Sequence, residues 1–218
     1  VSDSLLTQLG SYEHVVAAAP FITKPGMLKT DTDFKGIVLK GTDYWDFFAR
    51  NIQEGALPAK PQEVLISRVT ANRLELHVGD AIMGYFVDES DVRTRRFTIS
   101  GIYDTGFLQF DDLFVLTPLE TVRRLQSWDL NTYSGVEILL DDIKNLNETS
   151  DEIYFAVVNK LDENGYKAYF VETLQDQNPA IFAWLDLLDM NVVVIIVLML
   201  LVAGFNIVSG LIILILDG

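Results

Sequence analysis

The stretch VVVIIVLMLLVAGFNIVSGLIILIL, Val192 to Leu216, carries no charged side chain. A helix needs about 20 apolar residues to cross a hydrocarbon core of about 30 Å, and this block exceeds that length. A buried core helix is usually shorter and keeps a polar face. Here Asn206 and Ser209 are the only clearly polar side chains. The block also lies at the opposite end of the chain from a signal peptide. Residues 192–216 therefore read as a transmembrane helix.

Lipid gives apolar helices no hydrophobic reason to associate, so small residues that permit close approach mark a packing face. Asn206 and Gly210 are four positions apart and share a face, flanked by Ala203 and Ser209. An amide in hydrocarbon needs a partner, so Asn206 should face protein or water. Partner helices are implied. Orientation cannot be read from flanking Lys and Arg, because no loop follows the block. The chain opens on Val1 and closes on Asp217-Gly218, and the expectation is a piece of a larger polytopic protein.

Working back from the span, residues 179–191 read as an amphipathic connecting helix. Phe182, Leu185, Leu187, Leu188 and Met190 bring large apolar groups to the outer edge of the bilayer, beside Trp184, an interfacial anchor. Two readings stand level: these side chains anchor the helix, or they meet an acyl substrate. No Gly- or Ser-rich linker separates the helix from what precedes it. A stiff connection of this kind transmits motion.

Residues 1–178 read as an α+β domain. A short capped helix over Ser2 to Leu9 is followed by strands at Val15–Ile22 and Phe34–Lys40, with Lys24-Pro25-Gly26 as a turn between them. Asp43 to Arg50 is aromatic and helix-like, and Glu54 to Pro61 reads as a loop. Val64-Leu65-Ile66 is a strand, Val69 to Leu76 a helix, and Val78-Gly79-Asp80 a turn. Further strands fall at Ala81–Val87, Arg96–Tyr103 and Leu113–Leu116. Pro118 to Gln126 is a helix with Thr117 as its cap. From Val136 the order is strand, helix over Asn147–Asn164, and return strand over Tyr166–Val171, a βαβ-like unit.

Composition excludes several function classes. Against 16 basic residues stand 31 acidic ones in a chain of 218, a net charge of −15. Such a polyanion repels nucleic acid, and no basic patch offsets it. There is no cysteine, so thiolate metal sites and cysteine nucleophiles are ruled out, and His14 with His77 make a poor metal pair. The mean hydropathy of +0.25 owes its sign to the C-terminal block.

Catalytic motifs are equally missing. The sequence holds no phosphate loop, no G-x-G-x-x-G, no G-x-S-x-G elbow and no H-E-x-x-H. Asp111-Asp112 and Asp141-Asp142 read as solvated turn residues, not a catalytic dyad. Asp88-Glu89-Ser90-Asp91 lacks calcium-loop spacing and reads as a hairpin tip. His77 reads as a turn-side residue, and Asn147 as a helix cap. No enzyme, no cofactor and no metal is expected.

Several stretches in order resemble the extracytoplasmic domain of bacterial ABC-transporter permeases of the FtsX-like, MacB type. They are Gly41-Thr42-Asp43, Ile52-Gln53-Glu54-Gly55, and Val64-Leu65-Ile66 followed by Ala71-Asn72-Arg73-Leu74 and Leu76-His77-Val78-Gly79-Asp80. Next come Arg96-Phe97-Thr98-Ile99-Ser100-Gly101-Ile102-Tyr103 with Thr105-Gly106, and then Leu201-Val202-Ala203-Gly204-Phe205-Asn206-Ile207-Val208-Ser209. The last block is most similar to the second span of the lipoprotein-releasing permeases, the LolC and LolE type.

That resemblance implies a non-catalytic permease subunit in the bacterial inner membrane, with residues 1–178 in the periplasm. Its implied partners are a cytoplasmic ABC ATPase, which would hold the ATP hydrolysis, and a second permease copy or paralogue. A lipoprotein would be the substrate and a periplasmic carrier the acceptor. It also implies a two-lobed MacB-like head: a βαβ-containing lobe from residues 1–40 and 134–178, with a mixed lobe, residues 41–133, inserted. Phe182, Leu185, Leu188 and Met190 are then the expected substrate contacts. The hairpin Val87, Asp88, Glu89, Ser90, Asp91, Val92 and Arg93 would be the carrier-contact loop. The segment Val87 to Arg95 is shorter than the family's projecting hairpin and has no proline. The alternatives are an efflux or export permease of MacB type and an FtsX-type regulator of a cell-wall hydrolase.

Overall fold

The structure is a computed structural model that describes residues 3–87, 91–158, 169–177 and 179–216. The chain divides into two compact units, Val1–Asn145 and Leu146–Gly218.

The first unit runs α1 (Asp3–Leu9), β1 (Val15–Lys29), β2 (Phe34–Thr42), α2 (Asp46–Ala49), β3 (Ile52–Gly55), β4 (Glu63–Ser67) and α3 (Arg68–Leu74). It continues with β5 (Ala81–Val87), β6 (Val92–Tyr103), α4 (Leu108–Leu113), β7 (Phe114–Pro118), α5 (Leu119–Gln126) and β8 (Gly135–Leu140). A short turn of tighter helix over Ile143–Asn145 ends it. The eight-stranded sheet has the order β2-β7-β4-β6-β5-β1-β8, and β2 also pairs with β1. The pairings therefore close on themselves through β1, β2, β7, β4, β6 and β5, while β3 hangs on β6 and β8 on β1. Closure removes edges that would otherwise stay open. Strand β2 crosses residues 40/41, and its neighbours β1 and β7 come from either side of that position.

Alternation sorts the side chains. Ile22, Leu28, Ile37, Leu39, Val64, Ile66, Ile82, Phe86, Phe97, Ile99 and Val115 form one apolar cluster with Leu74 of α3 and Leu119, Val122 and Leu125 of α5. A second cluster, Phe48, Leu65, Tyr103 and Leu116, is covered by Trp45, Phe110 and Phe114. In the second unit, α6 (Leu146–Val157) buries Thr149, Ile153 and Val157. It is followed by α7 (Leu174–Gln177) and α8 (Pro179–Leu216).

Most expected elements are present, and the differences have physical causes. Lys24-Pro25-Gly26 is not a turn: β1 runs through it, and the chain reverses at Thr30–Asp33, where the Thr30 amide donates to the Asp33 carbonyl at 2.9 Å. Proline is tolerated because Thr23 sends its amide away from β2, to Ser134 Oγ at 3.0 Å. Backbone directions alternate, so the missing N–H of Pro25 falls on that same strand-free side. The aromatic segment Asp43 to Arg50 shortens to one turn, Asp46–Ala49. Glu54 and Gly55, read as the start of a loop, instead pair with β6 at Ile102 and Gly101. Helix α4 was not legible, because its six residues are too few for a period. Leu146–Val157 supplies the described part of the helix expected over Asn147–Asn164, whose remainder lies outside the described residues from 159 onward. Of the expected return strand, residues 166–168 also lie outside them, while Tyr169 to Val171 are irregular and lead into the cap of α7. Strand β8 pairs antiparallel with β1, and residues 159–168, which the expected βαβ-like unit needs, lie outside the described residues.

Candidate functional site

Helix α8 carries the residues singled out near and within the apolar block. Pro179 stands at its first position, where the missing N–H costs no bond and the fixed φ suits a helix. The helix then runs 38 residues without a break. At about 1.5 Å per residue it is roughly 57 Å long, nearly twice a hydrocarbon core. The segment Met190–Ser209 has a mean hydropathy of 2.9 and none of it is buried. The helix is thus long and apolar enough to cross a membrane and leave several turns outside it.

The expected contact residues Leu188 and Met190 are 39% and 63% exposed, beside an exposed Trp184. Phe182 and Leu185 belong to the same helix, but their side chains lie outside the described residues. Further along, Ile195, Leu198, Met199, Val202, Ala203 and Asn206 line one shallow groove of about 400 Å³. Ala203 and Asn206 thus share a face as their spacing requires. Ser209 is exposed on the same helix, and Gly210 is in it, although its surroundings lie outside the described residues. At the start of α8, Asn147, Ser150, Asp151, Thr173, Asp176 and Pro179 line a polar cleft of about 630 Å³. There the Asp176 carboxylate accepts from the Thr173 amide at 2.9 Å and hydroxyl at 2.7 Å. The hydroxyl bond, then the amide bond, holds its pKa below the usual carboxylate value.

The second expected site is the β5–β6 hairpin, paired from Ala81↔Thr98 to Val87↔Val92. Phe86 and Phe97 anchor it edge to face, with ring centroids 6.2 Å apart. Val87 and Val92 are exposed, and the Asp91 carboxylate accepts from the Val92 amide at 2.8 Å. Asp88, Glu89 and Ser90 lie outside the described residues. Arg93 turns back onto the domain. Its Nη1 donates to the Leu125 carbonyl at 2.6 Å and to Ser127 Oγ at 3.0 Å, at the C-terminal end of α5. Among the described residues, the exposed outer part of the hairpin carries Val87 and Val92 beside Asp91, Thr94, Arg95 and Arg96.

Three polar residues matter more than their sequence context suggests. Asp111 is buried, not a solvated turn residue: its carboxylate accepts from the Thr105 hydroxyl at 2.7 Å and amide at 3.2 Å. Its carbonyl also accepts from Ser67 Oγ, and Ser67 caps α3. Only Asp112 stays exposed, bonded to the buried Lys35 at 2.5 Å, and that bond holds its pKa low. Nearby, burial first and the Asp111 charge second push the Tyr103 hydroxyl well above its usual range; it donates to the Phe114 carbonyl at 2.8 Å. The third is Asp43. Thr117 does not cap α5 but donates to the Glu63 carbonyl at 3.0 Å, and Asp43 Oδ1 accepts from the Leu119 amide instead at 3.3 Å. A Cβ at Gly41 would sit 2.9 Å from Val122 Cγ2 and 3.0 Å from Leu119 Cα. The Gly41-Thr42-Asp43 motif therefore seats and caps α5. Among the described residues there is no cluster of three or more metal-binding side chains.

The comparisons place this chain, with its closed strand assembly and its apolar helix long enough to cross a membrane, in the FtsX/MacB-like permease class. The family model for the MacB-like periplasmic core domain matches residues 1–154, and the chain belongs to that family. It is 23% identical over 216 residues to the lipoprotein-releasing system transmembrane protein LolC of Xylella fastidiosa strain 9a5c. That match covers 93% of this chain and 50% of the relative. The LolC protein of Neisseria meningitidis serogroup B is 22% identical over 214 residues, covering 91% of this chain and 49% of the relative. The chain spans about half the length of these relatives. Among solved structures, the extracellular domain of the ABC-type transporter YknZ from Gram-positive bacteria superposes with a TM-score of 0.54 at 15% identity, over 79% of this chain and 89% of that one. The periplasmic region of MacB from Actinobacillus actinomycetemcomitans gives 0.52 at 16% identity, over 83% and 82%. Both share the fold.

Proposed function

We propose that this chain is part of the non-catalytic permease subunit of an ABC transporter that releases lipoproteins from the inner membrane toward a periplasmic carrier. In this reading residues 1–178 lie in the periplasm, residues 179–191 connect, and residues 192–216 span the membrane. A cytoplasmic ATPase and a second permease copy or paralogue complete the machine, and two lobes (residues 1–40 with 134–178, and 41–133) share the one strand assembly. The observation that carries the proposal is similarity to LolC along almost the whole chain, from the strand assembly through the apolar helix.

Phe182, Leu185, Leu188 and Met190 are proposed to meet the acyl chains at the outer membrane boundary. Val87 to Arg93 is proposed to meet the carrier. The exposure of Leu188 and Met190 supports the first role, and that of Val87 and Val92 the second. The face with Ala203, Asn206, Ser209 and Gly210 is proposed to pack on partner helices.

Depletion of the protein, followed by separation of inner and outer membranes, tests the reading. Lipoproteins should accumulate in the inner membrane. Leu188→Asp should reproduce that accumulation while the head still folds, as judged by its melting curve. Normal lipoprotein distribution on depletion would remove the release function; normal distribution in Leu188→Asp alone would remove the junction from the site.

A further inference from the structure

Four neighbouring strands of the ring, β2, β1, β5 and β6, turn Ile37, Leu28, Ile82 and Phe97 into the core, so by alternation the residues beside these face outward. Register sets the outward residues in rows. Phe34, Lys29, Met83 and Arg96 form one row, each paired with the next. Gly36, Met27, Tyr85 and Thr94 form the row beside it. Phe34 is 63% exposed and Met27 39%, and a Cβ at Gly36 would meet nothing within 4 Å. Neither row holds a carboxylate, in a chain with 31 acidic residues against 16 basic ones. Among the described residues, Lys29 and Arg96 are in no ion pair. Helix α6 has the opposite character. It buries Thr149, Ile153 and Val157, whereas Glu148, Glu152 and Phe155 share an exposed face at i, i+4 and i+7. Phe155 is 72% exposed, and Leu146–Val157 contains no basic residue.

We propose that two copies of this chain dock, with α6 of one laid on the outer face of β2, β1, β5 and β6 of the other. Phe155 sits over Gly36 and Met27, while Glu148 and Glu152 face Lys29 and Arg96. Charge selects a second copy as the occupant. At a net charge of −15, two copies repel over most of their surfaces, and a cationic face without carboxylates is where repulsion gives way to attraction. The spacings agree as well. Lys29 and Arg96 stand two strands apart, about 10 Å, and Glu148 and Glu152 one helical turn apart, about 6 Å, a difference their long side chains span. The proposal rests on the reading that permease chains pair, and it names the surfaces that meet.

Co-purification of two differently tagged copies of the full chain, coexpressed and extracted in detergent, tests this. It reads pairing and not lipoprotein release, so the two readings fail separately. Lys29→Glu with Arg96→Glu in both copies should lower the co-purified fraction by ~10-fold. Glu148→Lys with Glu152→Lys in both copies should do the same. Mixing one copy that bears the first pair of changes with one that bears the second should restore the unaltered fraction, because each reversed surface again meets its opposite. Gly36→Trp should also lower the fraction, since it fills the open ground between Phe34 and Met27. Gly36 has no positive φ, and every altered position is exposed, so each variant's head should melt as before. Association that neither reversal lowers, or a mixed pair that stays apart, would overturn the contact. So would full association of Gly36→Trp.

Discussion

The strand ring and helix α8 are built from the same apolar residue types and treat them in opposite ways. Leu39, Val64, Ile66 and Phe86 of the ring have no exposed surface, whereas Ile195, Val197, Leu198 and Leu201 of α8 are each at least half exposed. In the ring, burial from water supplies the driving force, and the polar groups taken inside with the core are bonded, as Asp111, Ser67 and Thr117 show. Along α8 there is no side to bury. Helix α5 of the first unit makes the contrast clear: it hides Leu119, Val122 and Leu125 and turns Glu120 and Arg124 outward. Bare apolar length is therefore a statement about solvent, and the solvent α8 fits is hydrocarbon.

Separating the two regions by mutation is the direct test of that contrast. Phe97→Ala empties a site 2% exposed in the ring and should cost about 3–5 kcal/mol in a urea melt of the head, with α8 still resisting alkaline extraction from membranes. Loss of membrane retention in that variant would show that the regions are not independent. Leu200→Arg reverses the experiment. An arginine near the middle of a span costs about 2.5–3.5 kcal/mol of insertion free energy, so the extractable fraction should rise while the head melts as before. An unchanged extractable fraction would break the assignment of α8 to lipid.

Two smaller effects sharpen the account of the ring. Asp111→Ala leaves the Thr105 hydroxyl and amide without their acceptor and should destabilise the head by about 1–3 kcal/mol, whereas a solvated turn aspartate would cost nothing measurable. The pH dependence carries the least. Asp112 has a folded-state pKa below its ordinary 3.8 because Lys35 bonds to its ionised form. Its contribution is therefore complete above about pH 4 and is lost as pH falls through the folded-state value. Asp112→Asn should flatten the head's stability profile in that acidic window and nowhere else, as read from melts between neutral pH and pH 2. An identical profile in both proteins would mean that the Lys35 bond contributes nothing in solution.

How much was legible follows from how local each signal is. The long C-terminal helix and the extent of strand β5 could be read directly, because a charge-free block and a short apolar run bounded by Gly79-Asp80 and Asp88-Glu89 are contained in their own residues. Pro25 misled because proline marks turns in general, and only the empty side of β1 reveals that its missing donor is harmless. Asp111 and Asp112 look identical in sequence; one is enclosed by Thr105 and Ser67, and the other meets Lys35 at the surface. Leu188 and Met190 could be placed on the helix just ahead of the charge-free block from the sequence alone, but no spacing indicated that Arg93 would fold back onto α5.

By itself the sequence determined that a lipid-compatible helix follows an acidic α+β head, since hydropathy and period act over neighbouring residues. Tertiary structure alone decided that the strands close into a ring, that Asp43 caps a helix far along the chain, and that Lys40 reaches Glu137 across β1. Those outcomes depend on which distant groups meet, and a buried charge or an orphaned helix N–H finds its partner only when the chain has folded.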